Sequence, residues 1–106
     1  MLPTSRMPTH PGEMLVEEFL DPMDISQSQF AGHLGIPIQR INEIVNGKRG
    51  ISPDTALLFS SALRTSPEFW INLQTTYDLA RARAHVGRFP TAIVGPHRHA
   101  ARRKVK

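Results

Sequence analysis

The stretch Ser26-Gln-Ser-Gln-Phe-Ala-Gly-His-Leu-Gly-Ile-Pro-Ile-Gln-Arg-Ile-Asn-Glu-Ile-Val-Asn-Gly47 decides the fold. It reads as two short helices joined by a tight turn that begins at Gly35. Ser26 followed three residues later by Gln29 is a capping-box pattern, which places the first helix start at Gln27. Gly35 supplies the left-handed residue that closes a helix. Pro37 can start the next helix and Gly47 can close it. Phe30, Ala31 and Leu34 fall on one face of the first helix. Ile41, Ile44 and Val45 fall on one face of the second, at helical spacing. The outer face of the second is left with Ile38, Gln39, Arg40, Asn42, Glu43 and Asn46.

Two packed helices with this turn follow the plan of a helix-turn-helix, whose second helix enters the major groove of DNA. Gln39 and Asn42 suit that place, because a side-chain amide donates and accepts towards a base edge at once.

Outward from this motif the chain is helical. Residues 1–9, with two prolines, read as a flexible arm. His10 can cap a first helix that opens at Pro11, with Glu13 in its first turn. Leu15, Phe19 and Leu20 form its apolar side, and Glu17 and Glu18 face water. Asp21-Pro22 ends it. Ser52-Pro53 and Ser66-Pro67 repeat one device, a serine cap before a proline in the first helical position. They start a fourth helix lined by Ala56, Phe59 and Leu63, and a fifth lined by Phe69, Trp70, Leu73, Tyr77 and Ala80. The fifth fades near His85, ahead of Gly87. The expectation is an all-α, five-helix domain over residues 10–87. Residues 88–106 then form a basic, flexible tail, with a short extended piece possible at Ala92–Val94.

At 106 residues there is room for one domain and a small core. Cysteine is absent, which excludes disulfides, thiolate-bound zinc and thiol catalysis. No apolar run approaches a membrane span, and Met1-Leu-Pro-Thr-Ser-Arg6 lacks the apolar core of a signal peptide. A cytoplasmic, bacterial location is expected, nucleoid-associated when DNA is bound. The net charge of +4 hides an asymmetry. Met1–Asp78 carries five Lys/Arg against nine Asp/Glu, and Leu79–Lys106 carries eight Lys/Arg and no acid. The high pI therefore belongs to the tail. Positive charge near the helix-turn-helix comes from Arg40, Lys48 and Arg49.

The chain resembles the HigA/VapI-type antitoxins of the phage-repressor-like (XRE) class. The resemblance is carried by His10-Pro-Gly-Glu13, Glu17-Glu18-Phe-Leu20, Ile36-Pro37, and Arg40-Ile-Asn-Glu-Ile-Val-Asn-Gly-Lys-Arg-Gly-Ile51. It continues through Asp54-Thr-Ala56, Ser66-Pro-Glu-Phe-Trp-Ile-Asn-Leu-Gln74 and Tyr77-Asp-Leu79. It implies a homodimer that binds an inverted-repeat operator and represses its own operon. It also implies a second partner, a HigB-type ribonuclease toxin that the antitoxin neutralises. Neither partner follows from composition or spacing. The tail beyond about His85 takes no role from it.

By the same resemblance Gln39 and Glu43 occupy base-reading places. Gln can be bidentate to adenine and Glu can accept from cytosine N4, while Ile38 can touch a thymine methyl and Asn42 can read a base or face water. Gln27 takes the place of a phosphate contact, at a helix start that favours anions in any case. Arg40, Asn46, Lys48 and Arg49 suit backbone positioning. The plainer readings stay open: a solvated face, Glu43 holding Arg40 at the (i, i+3) spacing, and Lys48-Arg49 as an exposed loop pair. Phe69, Trp70, Leu73 and Tyr77 suit core or dimer packing, and Trp70 alternatively a toxin contact. His97-Arg-His99 lacks the further ligands a metal would need, so no metal and no cofactor are expected. No hydrolase elbow, zinc-protease or phosphate-loop motif occurs, and an enzyme is not expected. A solitary regulator without a toxin, and an interaction module that no longer binds DNA, are the competing functions. The acidic body favours the last.

Overall fold

The computed structural model describes residues 7–95 and contains helices and turns there, with no strand among the described residues. Helix α1 (Pro11–Leu15) runs on as a π-helical turn over Val16–Leu20. It is followed by α2 (Gln27–Leu34), α3 (Ile38–Val45), α4 (Pro53–Leu63) and α5 (Pro67–His85). Counting α1 and its π-helical continuation as one, the five-helix, all-α expectation is met.

The helix starts are set locally. His10 Nδ1 accepts from the Gly12 N–H at 2.9 Å. Ser26 and Gln29 close a full capping box: the Gln29 N–H donates to Ser26 Oγ, and the Ser26 N–H donates to Gln29 Oε1. Ser52 Oγ accepts from the Thr55 N–H, and Ser66 Oγ from the Phe69 N–H. The ends follow the same logic. Gly35 sits at φ +74°, and the Ile36 N–H reaches back to the Ala31 carbonyl at 3.1 Å. That is a left-handed close satisfying an orphan carbonyl. Gly47 closes α3 at φ +74°. Arg64 closes α4 at φ 58°, a conformation in which a side chain larger than glycine is uncommon.

Two expectations need correction. The first helix is not regular throughout. The Asp21 N–H donates to the Val16 carbonyl and the Ile25 N–H to the Leu20 carbonyl, each one residue wider than an α-helical bond. Pro22 supplies a reason: it has no N–H for the Glu18 carbonyl, and its ring needs room on the preceding turn. Ala92–Val94 forms no extended pairing, and residues 81–95 are all exposed.

The core gathers Leu15 and Leu20, Phe30 and Ala31, Ile41 and Ile44, Ile51, Ala56 and Phe59, and Trp70. Phe30, Phe59 and Trp70 stack edge to face in a row, with ring centroids 5.3 Å and 5.2 Å apart. The Trp70 indole N–H donates to Thr65 Oγ1 at 2.7 Å, so its polar atom is satisfied inside the core.

Candidate nucleic-acid interface

Recognition geometry begins with the face α3 buries. Ile41 and Ile44 are fully enclosed and fix the helix against α1 and α2. Helical spacing then forces the intervening residues outwards. Gln39 is exposed, and Asn42, Glu43 and Arg40 are half-exposed. Ile38, at 44% exposure, is a large apolar side chain held in water beside them. Gln39, Arg40, Glu43 and Arg49 line one shallow cleft of about 260 Å³, with Pro37 at its edge.

The loop after α3 is tied back to the helix. The Lys48 and Arg49 N–H groups both donate to the Glu43 carbonyl, at 2.8 and 3.2 Å. The Arg49 Nε donates to Glu43 Oε1 at 2.8 Å. Of the plainer readings of Glu43, the pairing with Arg40 is not the one formed: its carboxylate is held by Arg49 from the loop. Both groups are well exposed, so the pair sets geometry more than stability. Asn46 and Lys48 are exposed beside it, and Gln27 opens α2 half-buried.

Of the four residues read as core or dimer packing, the structure encloses Trp70 completely. Phe69, Leu73 and Tyr77 are half-buried. Tyr77 meets the His10 ring edge-on at 4.8 Å, and the Arg81 guanidinium lies 5.9 Å from the centre of the Tyr77 ring. Burial lowers the His10 pKa below its ordinary value; Asp78 and Glu13 pull it upwards and Arg81 downwards. His97 and His99 lie outside the described residues.

Two features of the site went unread in the sequence. One is Gln74, whose Oε1 accepts from the Ile51 N–H at 2.7 Å and whose Nε2 donates to Asp78 at 3.0 Å. It pins the loop after α3 to α5. The other is Gly12, which packs directly on the backbone of Ile44 and Val45, so that a Cβ there would collide with the Ile44 carbonyl oxygen. A glycine inside the first turn of a helix was the available signal, since helices otherwise disfavour it.

A short helix with a fixed inner stripe and a polar outer face, set after a left-handed turn, is the build of an XRE-type helix-turn-helix domain. Residues 16–70 match the helix-turn-helix family. Virulence-associated protein I of Dichelobacter nodosus is 47% identical over 73 residues, 69% of this chain and 68% of that protein. Antitoxin HigA-1 of Vibrio cholerae is 38% identical over 79 residues, 74% of each chain. The solved structure of the Pseudomonas aeruginosa antitoxin HigA with the higBA promoter superposes with a TM-score of 0.72 at 45% identity, covering 74% of this chain and 85% of that one. The chain belongs to the HigA-type antitoxins of the helix-turn-helix family.

Proposed function

We propose that the protein is the antitoxin and autorepressor of a two-gene module. It binds an inverted-repeat operator as a homodimer in the bacterial cytoplasm and neutralises a HigB-type ribonuclease toxin. The observation that carries the DNA-binding half is the outer face of α3. Gln39, Asn42 and Glu43 stand on it in helical register, flanked by Ile38, Arg40 and the Lys48-Arg49 loop. Gln39, Asn42 and Glu43 would read base edges with Ile38 against a thymine methyl. Gln27, Arg40, Asn46, Lys48 and Arg49 would hold phosphates. Repression is then steric, because a dimer across the promoter excludes polymerase. The solved promoter complex of the Pseudomonas relative supports this reading, and the antitoxin name of the Vibrio relative supports the toxin partner.

The test is a gel shift on the DNA upstream of the gene over a range of salt, with co-purification of the product of the neighbouring gene. Specific binding that weakens steeply with salt, and a stable complex with a small ribonuclease, are expected. Binding without such a neighbour would leave a solitary regulator. No shift at low salt would overturn the DNA-binding function.

A further inference from the structure

The start of α1 is seated on the end of the recognition helix. Gly12 lies against the Ile44 and Val45 backbone so closely that no side chain fits between them. What holds Gly12 in that first turn is His10. Its Nδ1 accepts from the Gly12 N–H at 2.9 Å, and its carbonyl accepts from the Glu13 and Met14 N–H groups at 3.0 and 3.1 Å. The residue is 9% exposed and its ring stands edge-on against Tyr77, which ties the seat to α5.

An imidazole accepts through Nδ1 only while that nitrogen carries no proton. Protonation would turn a donor towards the Gly12 N–H and put a cation at the positive end of a helix. We propose that His10 is a proton-sensitive positioning residue for the recognition helix. Its neutral form holds Gly12 against Ile44, and its protonation loosens α3 and weakens operator binding. This rests on the operator-binding function proposed above.

The groups facing His10 are known on each side. Glu13 on α1, and Asp78 and Arg81 on α5, act on it electrostatically, with Tyr77 in ring contact. Glu17 shares its 370 Å³ cleft, and the end of α3 contributes only uncharged Val45, Asn46 and Gly47 there. The carboxylates favour the imidazolium; burial opposes it and prevails. The strut is therefore intact at neutral pH and comes undone on acidification. A simple charge effect has the opposite sign, because any newly protonated histidine strengthens attraction to phosphate.

The full chain and its His10→Asn variant are compared by fluorescence anisotropy on operator DNA at constant ionic strength. Asn keeps a capping oxygen and cannot titrate. Between about pH 7.5 and about pH 5.5, wild-type affinity should fall about fivefold, and that of His10→Asn should stay flat or rise. The His10 ring titration, followed by NMR in the wild type alone, should move to lower pH when operator binds, as reciprocal linkage requires. Identical profiles for the two proteins, tighter wild-type binding in acid, or an operator-insensitive titration would each overturn the proposal. Amide protection at Ile44–Gly47 reads the strut without DNA: it should drop on acidification in the wild type and not in His10→Asn, and equal behaviour counts against it. A chain that binds no operator near pH 7.5 but loses this protection in acid would remove the proposed function and leave the strut standing.

Discussion

Gln39 and Arg49 share one cleft, and their chemistry suits them to different tasks in the proposed DNA-binding function. An amide on the outward face of α3 can match the donor and acceptor of an adenine edge; a guanidinium on the following loop can meet a phosphate whatever the base sequence. Gln39→Ala should cost about 1–3 kcal/mol on operator DNA and relax preference at one base pair per half-site. Arg49→Ala should weaken all sequences alike and make the salt dependence shallower. A panel of operator variants separates the two, and similar behaviour of both would place the recognition helix in another register. Glu43 complicates the pair usefully. Its carboxylate holds Arg49 at 2.8 Å in the free protein. Glu43→Gln frees that guanidinium and removes a negative charge from the face, so binding to random-sequence DNA should tighten. A simultaneous loss on the operator would mark Glu43 as a base reader; an equal gain on both would mark it as an electrostatic brake alone.

The helices were legible where their causes are local. Ser26 with Gln29, Ser52 before Pro53 and Ser66 before Pro67 each act within three residues, and each caps as its spacing requires. Ser26→Ala should accordingly lower stability by about 1 kcal/mol in urea unfolding. What stayed illegible depends on neighbours distant in sequence or on the path of a turn. Gly12 meets Ile44 and Val45 across more than thirty positions, and Gln74 reaches Ile51 from another helix. Glu43 finds Arg49 because the Gly47 turn folds the loop back, an outcome that helical spacing alone assigns to Arg40. The α1 seat adds a pH term to stability. Burial depresses the folded pKa of His10 below its ordinary value, so its contribution is complete above the ordinary range near pH 6.5 and is lost as pH falls through the lowered folded value. Urea unfolding of wild type against His10→Asn should diverge in that window, with the wild type losing more.

At the scale of the molecule the question is how an acidic body and a basic tail divide the work on DNA. One recognition helix offers few base contacts, and a two-fold dimer doubles them at half-sites roughly 34 Å apart. Trp70 is spent inside the core, so an interface on α5 would draw on the half-buried Phe69, Leu73 and Tyr77. Sedimentation at tens of micromolar should show the dimer. The basic residues after Leu79 in the described part are Arg81, Arg83 and Arg88, all exposed, with only Arg81 set against the body, over the Tyr77 ring; residues 86–95 are exposed throughout. A segment of that charge acts on polyanions through counterion release, which the scattered carboxylates of Glu17 and Glu18 cannot match. Deleting residues 88–106 should therefore weaken operator and random DNA by a similar factor and reduce the salt slope. The melting temperature should hardly move, because residues 88–95 contribute no core contact. A fall of many degrees without any change in DNA affinity would mean that the tail packs on the body, and that its charges serve the fold.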